Sequence, residues 1–173
     1  NTETTNDYRI LEDRSAQYLS FSKSVKSRQM YPGSLMGSMA LLRQTYNDAD
    51  WYLKGNTKNK DLALEALENN KNLPQIFYAG SRINAFRADK VGDEFGIQYT
   101  IVGGGDEFER INDVRATNAT FIIPINFRAA YDVSNPYLAE HVSLHDMRKW
   151  NQEPTNPKVL AENGVTFSLT THS

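Results

Sequence analysis

The apolar residues of this chain follow two different spacings. Leu35, Met39, Leu42, Tyr46, Ala49 and Leu53 recur three or four positions apart, which predicts one face of a helix of about five turns. Ser34 is placed to cap that helix at its start, and Gly55-Asn56 to end it. A shorter helix is expected over Leu62-Ala63-Leu64-Glu65-Ala66-Leu67, and another through Ile83, Phe86, Val91 and Phe95. Further helical spacing joins Phe108, Ile111 and Val114, and then Leu144, Met147 and Trp150, which are expected to form a buried face. Between these stretches lie short runs rich in β-branched and aromatic residues, the composition of strands. They predict strands near 75–79, 97–102, 119–123 and 165–170, with Pro74 and Pro124 at strand limits where little ladder bonding is lost.

The joints between these elements repeat. Glu94-Phe95-Gly96-Ile97-Gln98-Tyr99-Thr100-Ile101 and Glu162-Asn163-Gly164-Val165-Thr166-Phe167-Ser168-Leu169 share one pattern: a glycine suited to stopping a helix in the left-handed conformation, then a strand. Strand–helix alternation of this kind implies an α/β fold with four mostly parallel strands and helical crossovers. Residues 1–33 show no comparable periodicity. They are expected to be an irregular arm that forms no strand, held by Tyr8, Ile10, Leu11, Tyr18, Leu19 and Phe21, with the α/β segment occupying 34–173. Phe127 to Glu140 is expected to be a loop turning at Ser134-Asn135-Pro136. Asn156-Pro157 has the pattern of a helix cap followed by proline. A chain that stops on its fourth strand without a covering helix is expected to be part of a longer protein.

Composition narrows the function classes. The 173 residues carry a formal charge of −2, which gives no electrostatic footprint for nucleic acid or an anionic membrane. No apolar run approaches the ~20 residues of a bilayer span, and the polar start is not a signal peptide. A cytoplasmic location, or a periplasmic or secreted one after signal removal, stays open. The absence of cysteine removes disulfides and thiolate metal sites.

Ligand sites in parallel α/β proteins gather on the loops after strands, which directs attention to Gly103-Gly104-Gly105-Asp106-Glu107. Three glycines before a helix suit backbone contact with an anion, yet Asp106, Glu107 and Glu109 would repel phosphate, and a tight turn accounts for the glycines equally well. Asp106 and Glu107 are candidates for acid–base chemistry, against the plainer role of complementing a helix N-terminus. His141 and His145 have the four-residue spacing of two ligands on a helix, but no Glu follows His141, and they read as histidines without metal. His172 is the one histidine at a predicted strand end.

Certain runs resemble the imidazolonepropionase-like branch of the amidohydrolase superfamily. They are Tyr31-Pro32-Gly33-Ser34-Leu35-Met36-Gly37 through Leu42-Arg43-Gln44-Thr45-Tyr46 to Asp50-Trp51-Tyr52; Arg87-Ala88-Asp89-Lys90 through Glu94-Phe95-Gly96; and Trp150 with Pro154-Thr155-Asn156-Pro157 and Gly164 to Thr170. The resemblance covers roughly residues 20–173. It implies the last four strands of an eight-stranded (β/α) barrel, hydrolysis of a C–N bond in a small-molecule substrate, and zinc or another divalent metal in a full-length member. It also implies a preceding half-barrel with a His-x-His motif, which does not occur here. The family's second-half metal ligands fall on Tyr78, Gly103 and His172. Tyrosine is a rare zinc ligand and glycine has no side chain, so this segment is expected to hold no metal tightly, with His172 as a weak candidate. Tyr78 and Gly103 to Gly105 then remain as candidates for binding a ligand, and a non-catalytic binding or structural module is the rival reading. Open sheet edges in a half-barrel would favour self-association or coverage of an edge by the arm.

Overall fold

The computed structural model describes residues 14–23, 28–55 and 58–171. They form an α/β fold with one parallel five-stranded sheet in the order β1-β2-β3-β4-β5, the strands being Gln17–Ser20, Gln75–Tyr78, Thr100–Val102, Thr120–Pro124 and Phe167–Thr170. The four expected strands are present as β2 to β5. The chain divides into two compact units, Asn1–Ile76 and Phe77–Ser173.

In the first unit, β1 overturns the expectation that residues 1–33 supply no strand. Gln17 donates its backbone N–H to the Pro74 carbonyl at 2.9 Å, and its side chain accepts from Asn70 Nδ2. Alternation does exist here, with Leu19 partly covered and Tyr18 69% exposed, but four residues are too few to show as a period. Tyr18 is therefore no anchor, whereas Phe21 is buried. Tyr8, Ile10 and Leu11 lie outside the described residues. β1 occupies the sheet edge beside β2, as expected of an arm that covers an edge. Helix α1, Leu35–Leu53, starts at Ser34, whose hydroxyl accepts from the Gly37 N–H, and it buries Tyr46 and Ala49. Helix α2, Leu62–Asn69, is capped by Asp61, which accepts from both Ala63 and Leu64 N–H.

The second unit holds helices α3 (Arg82–Phe95), α4 (Ile111–Ala116), α5 (Pro136–Glu140), α6 (Leu144–Gln152) and α7 (Asn156–Glu162). Ser81 caps α3, and Gly96 ends it at φ +66°, a conformation that glycine takes without a Cβ clash. A 3-10 turn, Glu107–Arg110, leads into α4. The stretch expected to be a loop contains α5, because Asn135 caps it by accepting from the Leu138 N–H and Pro136 suits its first turn.

Parallel register aligns Ile101 with Phe121 and Phe121 with Phe167, and places Val102 beside Ile122 and Ile122 beside Ser168. Because side chains alternate across a sheet, one face carries Ile101, Phe121 and Ile123, all buried. The other carries Thr120 and Ser168, both exposed. Ala85, Ala88, Val91, Val114 and Leu160 from the helices complete the core, and the Phe77 ring meets Tyr99 at a centroid distance of 5.2 Å.

Two expectations about the last helices are corrected. Leu144 and Met147 do not bury: they are 65% and 37% exposed, and α6 has no buried residue. The helix instead turns its polar side toward the unit. Asn156 does not cap α7; Thr155 stands at that position, and Asn156, the first helical residue, is buried with its side chain reaching toward the loop after β3.

Within α3, burial first, and then the charge of Asp93, pushes the Asp89 carboxyl up from 3.8 to about 6. Asp89 holds a proton more tightly when folded, so it stabilises the fold below its ordinary value, and that contribution is lost as pH rises from 3.8 through about 6. The full shift is equivalent to about 3 kcal/mol, which solvent screening of this partly exposed group reduces to roughly 1 kcal/mol. Asp89→Asn is therefore expected to raise the melting temperature at pH 7.5 by about 2–4 °C, with the gain vanishing toward pH 4. Thermal melts of both proteins across that range check this.

Candidate functional site

The loop after β3 is tied to its neighbours by backbone and side-chain hydrogen bonds. Val102 O accepts from the N–H groups of both Ala79 and Gly80, and the Gly103 N–H is donated to Ile122 O, so the loop leaves the sheet locked to its two neighbours. A Cβ on Gly104 would run into the Gly80 carbonyl and the Ser81 backbone, and only glycine permits that approach. Gly105 has φ +84° with open space around it, so its requirement is conformational alone.

Glu107 closes the loop from inside. It is fully buried; Oε1 accepts from the Gly104 N–H at 2.8 Å, and Oε2 accepts from Asn156 Nδ2 at 2.7 Å. Asn156 Oδ1 in turn accepts from the Phe108 N–H at 2.9 Å. Loss of water raises the Glu107 carboxyl above its ordinary range, opposed by the Gly104 and Asn156 hydrogen bonds and assisted by the nearby charge of Asp106. The carboxylate therefore takes up the amide that an anion would otherwise seek, and faces no open space from which a substrate could reach it.

Asp106 works on a different helix from its own. Its Oδ1 accepts from the Arg82 backbone N–H at 2.8 Å, satisfying a donor at the start of α3, and Oδ2 meets the Arg82 guanidinium at 2.5 Å. Arg82 also pairs with Glu109 at 2.5 Å, and Lys149 from α6 lies 3.1 Å from Glu109 Oε1 and 3.9 Å from Asp106. The Lys149–Glu109 contact has ion-pair distance without hydrogen-bond geometry, so Glu109 Oε1 has no hydrogen-bond partner among the described residues. Two cations thus face two carboxylates, all four largely covered, and the cluster is neutral. Asp106 and Glu107 are thus both engaged by hydrogen bonds within the chain.

The other candidates fall in separate places. Tyr78 follows buried Phe77, so alternation turns it to the opposite face at a strand end, 48% exposed. A side chain at Gly103 would be directed at the Glu107 carboxylate and Ile123, on the buried face of the sheet. His172 lies outside the described residues. His141 and His145 sit on different helices: His141 caps α5, with Nδ1 donating to the Tyr137 carbonyl, while Ser143 starts α6 between them. Among the described residues no three His, Asp or Glu side chains converge as a metal site, and no helix is long and apolar enough to cross a membrane.

Sequence reasoning singled out neither Arg82 nor Lys149, and it read Glu109 only as an acid that repels phosphate and Asn156 only as a helix cap. Their partners are 24 to 49 positions away in the chain, so no local spacing reveals them. One signal was available: His145, Arg148, Lys149 and Gln152 recur at i, i+3, i+4 and i+7, a polar helical stripe that α6 turns toward the 3-10 turn and α7.

No family model and no curated protein matches the chain. Among solved structures it is similar to an amidohydrolase from Thermotoga maritima MSB8, with a TM-score of 0.63 and 17% identity over 94% of this chain. The alignment spans 43% of that structure, so the chain is less than half its length. At this identity the likeness is one of fold: the strands and crossovers of this chain are arranged like part of an amidohydrolase barrel.

Two sets of substitutions test the site. Asn156→Ala removes two hydrogen bonds and leaves the Glu107 carboxyl and the Phe108 N–H buried with fewer partners, an expected loss of roughly 2–4 kcal/mol in urea unfolding. Of the three glycines, Gly104→Ala is expected to cost most, at least about 2 kcal/mol, because backbone must move. Gly105→Ala is expected to cost about 1 kcal/mol, the price of its backbone conformation alone.

Proposed function

We propose that this chain is the second half of an amidohydrolase-type barrel of the imidazolonepropionase-like branch, and that as a segment it is a structural and ligand-framing module rather than a hydrolase. The observation that carries this reading is the state of the loop after β3: its carboxylates are committed to Gly104, Asn156, Arg82 and Lys149. The fold likeness, which covers 94% of this chain and 43% of the Thermotoga maritima chain, supports the first part. A preceding half-barrel carrying His-x-His is then the natural partner, and any C–N bond hydrolysis in the full-length protein depends on ligands it supplies.

A metal does not fit the described residues of this segment. Zinc needs three or four N, O or S donors around one point. The positions that the resemblance assigns to ligands supply one exposed phenol, a bare backbone that faces the wrong side of the sheet, and His172. No catalytic step is therefore derived through a metal. The rival reading, a barrel that has lost its metal and holds a ligand or a second copy of itself at its open edge, shares this premise. Upstream sequence separates the two: a His-x-His motif there favours the hydrolase, and its absence favours the non-catalytic module.

Zinc titration of the purified chain at neutral pH tests the proposal for the segment. We expect no stoichiometric site of submicromolar affinity. A tight site that disappears in His172→Ala would mean that a metal centre has been rebuilt with new ligands.

A further inference from the structure

Beside the neutral cluster, α6, α7 and the 3-10 turn line an open groove of about 530 Å3, within the range of small-molecule sites. One wall is the polar stripe of α6: His145, Arg148, Lys149 and Gln152. Phe108 and Val159 supply apolar surface. The charges are unequal. Glu109, the acid of the groove, is held by Arg82 and Lys149, and with Asp106 it balances those two cations. Arg148 has no ion pair among the described residues, and it stands one turn from His145 on the same side of α6. The groove thus has a surplus positive charge and hydrogen-bond donors on one side, and an aromatic and an aliphatic side chain alongside.

We propose that this groove binds a small organic carboxylate, with the anion on Arg148 and His145 and the apolar part against Phe108 and Val159. A guanidinium fork matches a carboxylate with two parallel hydrogen bonds. The apolar surface favours such an anion over inorganic phosphate, which has nothing to place there. The groove adjoins the loop after β3 without using Gly104 or Glu107, which are already paired with each other, and it does not depend on a metal.

Benzoate and its neutral counterpart benzamide are suitable probes, followed by amide chemical shifts of the intact chain. Benzoate is expected to give saturable shifts over Leu144–Gln152 and at Phe108, with benzamide roughly tenfold weaker, the difference expected of a charge-assisted contact. Arg148→Gln, an exposed position whose folding is checked by thermal melting, should bring benzoate down to the level of benzamide. Lys158→Gln, outside the groove, should leave it unchanged. Equal binding of the two probes, shifts elsewhere on the chain, no saturable shift with benzoate, or full benzoate affinity in Arg148→Gln would each overturn the proposal.

Discussion

A buried carboxylate cannot remain where it is without hydrogen-bond donors, and at Glu107 this constraint organises the whole end of the second unit. One oxygen is satisfied by the amide of Gly104, the other by Asn156 of α7. Each partner is itself fixed: Gly104 by its approach to Gly80 and Ser81, and Asn156 by the Phe108 amide. Loops after β2 and β3 and the start of α7 thus converge on one side chain. Replacing that side chain with an apolar one would orphan the Gly104 amide and the Asn156 amide group together. Asp106 and Glu109 extend the connection through Arg82 to α3 and through Lys149 to α6.

This arrangement explains why a glycine-rich loop followed by acids need not be an active-site loop. Backbone amides at the start of a helix attract anions, and here the anion is internal. The three glycines then have different physical reasons: Gly103 leaves room for the carboxylate, Gly104 for a neighbouring backbone, and Gly105 adopts a conformation that other residues avoid. None of these reasons invokes a ligand. The groove beside α6 is different in kind, because its surplus charge on Arg148 has no internal partner among the described residues.

The elements with strong local signals were legible in the sequence. Ser34 and Gly96 bound their helices as their residue types require, and β2 to β5 appear where β-branched runs lie between helical stretches. The weak signals misled. β1 is four residues long, and its pairing is set by Pro74 and Asn70, more than fifty positions away. On α6 the apolar trio Leu144, Met147 and Trp150 suggested a buried face, but burial of that helix is decided by ion pairing and groove contacts of its polar side. Asn156-Pro157 looked like a cap because proline does follow caps. What its local pattern lacked was the distant buried carboxylate that claims the asparagine side chain. Asp106 and Glu107 were legible as acids beyond a strand, whereas their partners Arg82 and Asn156 lie far away in the chain.

The central claim is that the loop after β3 is filled and held by its own carboxylate. Hydrogen exchange at the Gly104 amide, measured with and without added phosphate, reads this directly. The account predicts that this amide exchanges as slowly as the core strand amide of Ile101, and that phosphate leaves its rate and chemical shift unchanged. Fast exchange at Gly104, or protection that appears only with phosphate, would show an open loop waiting for an anion and would contradict it.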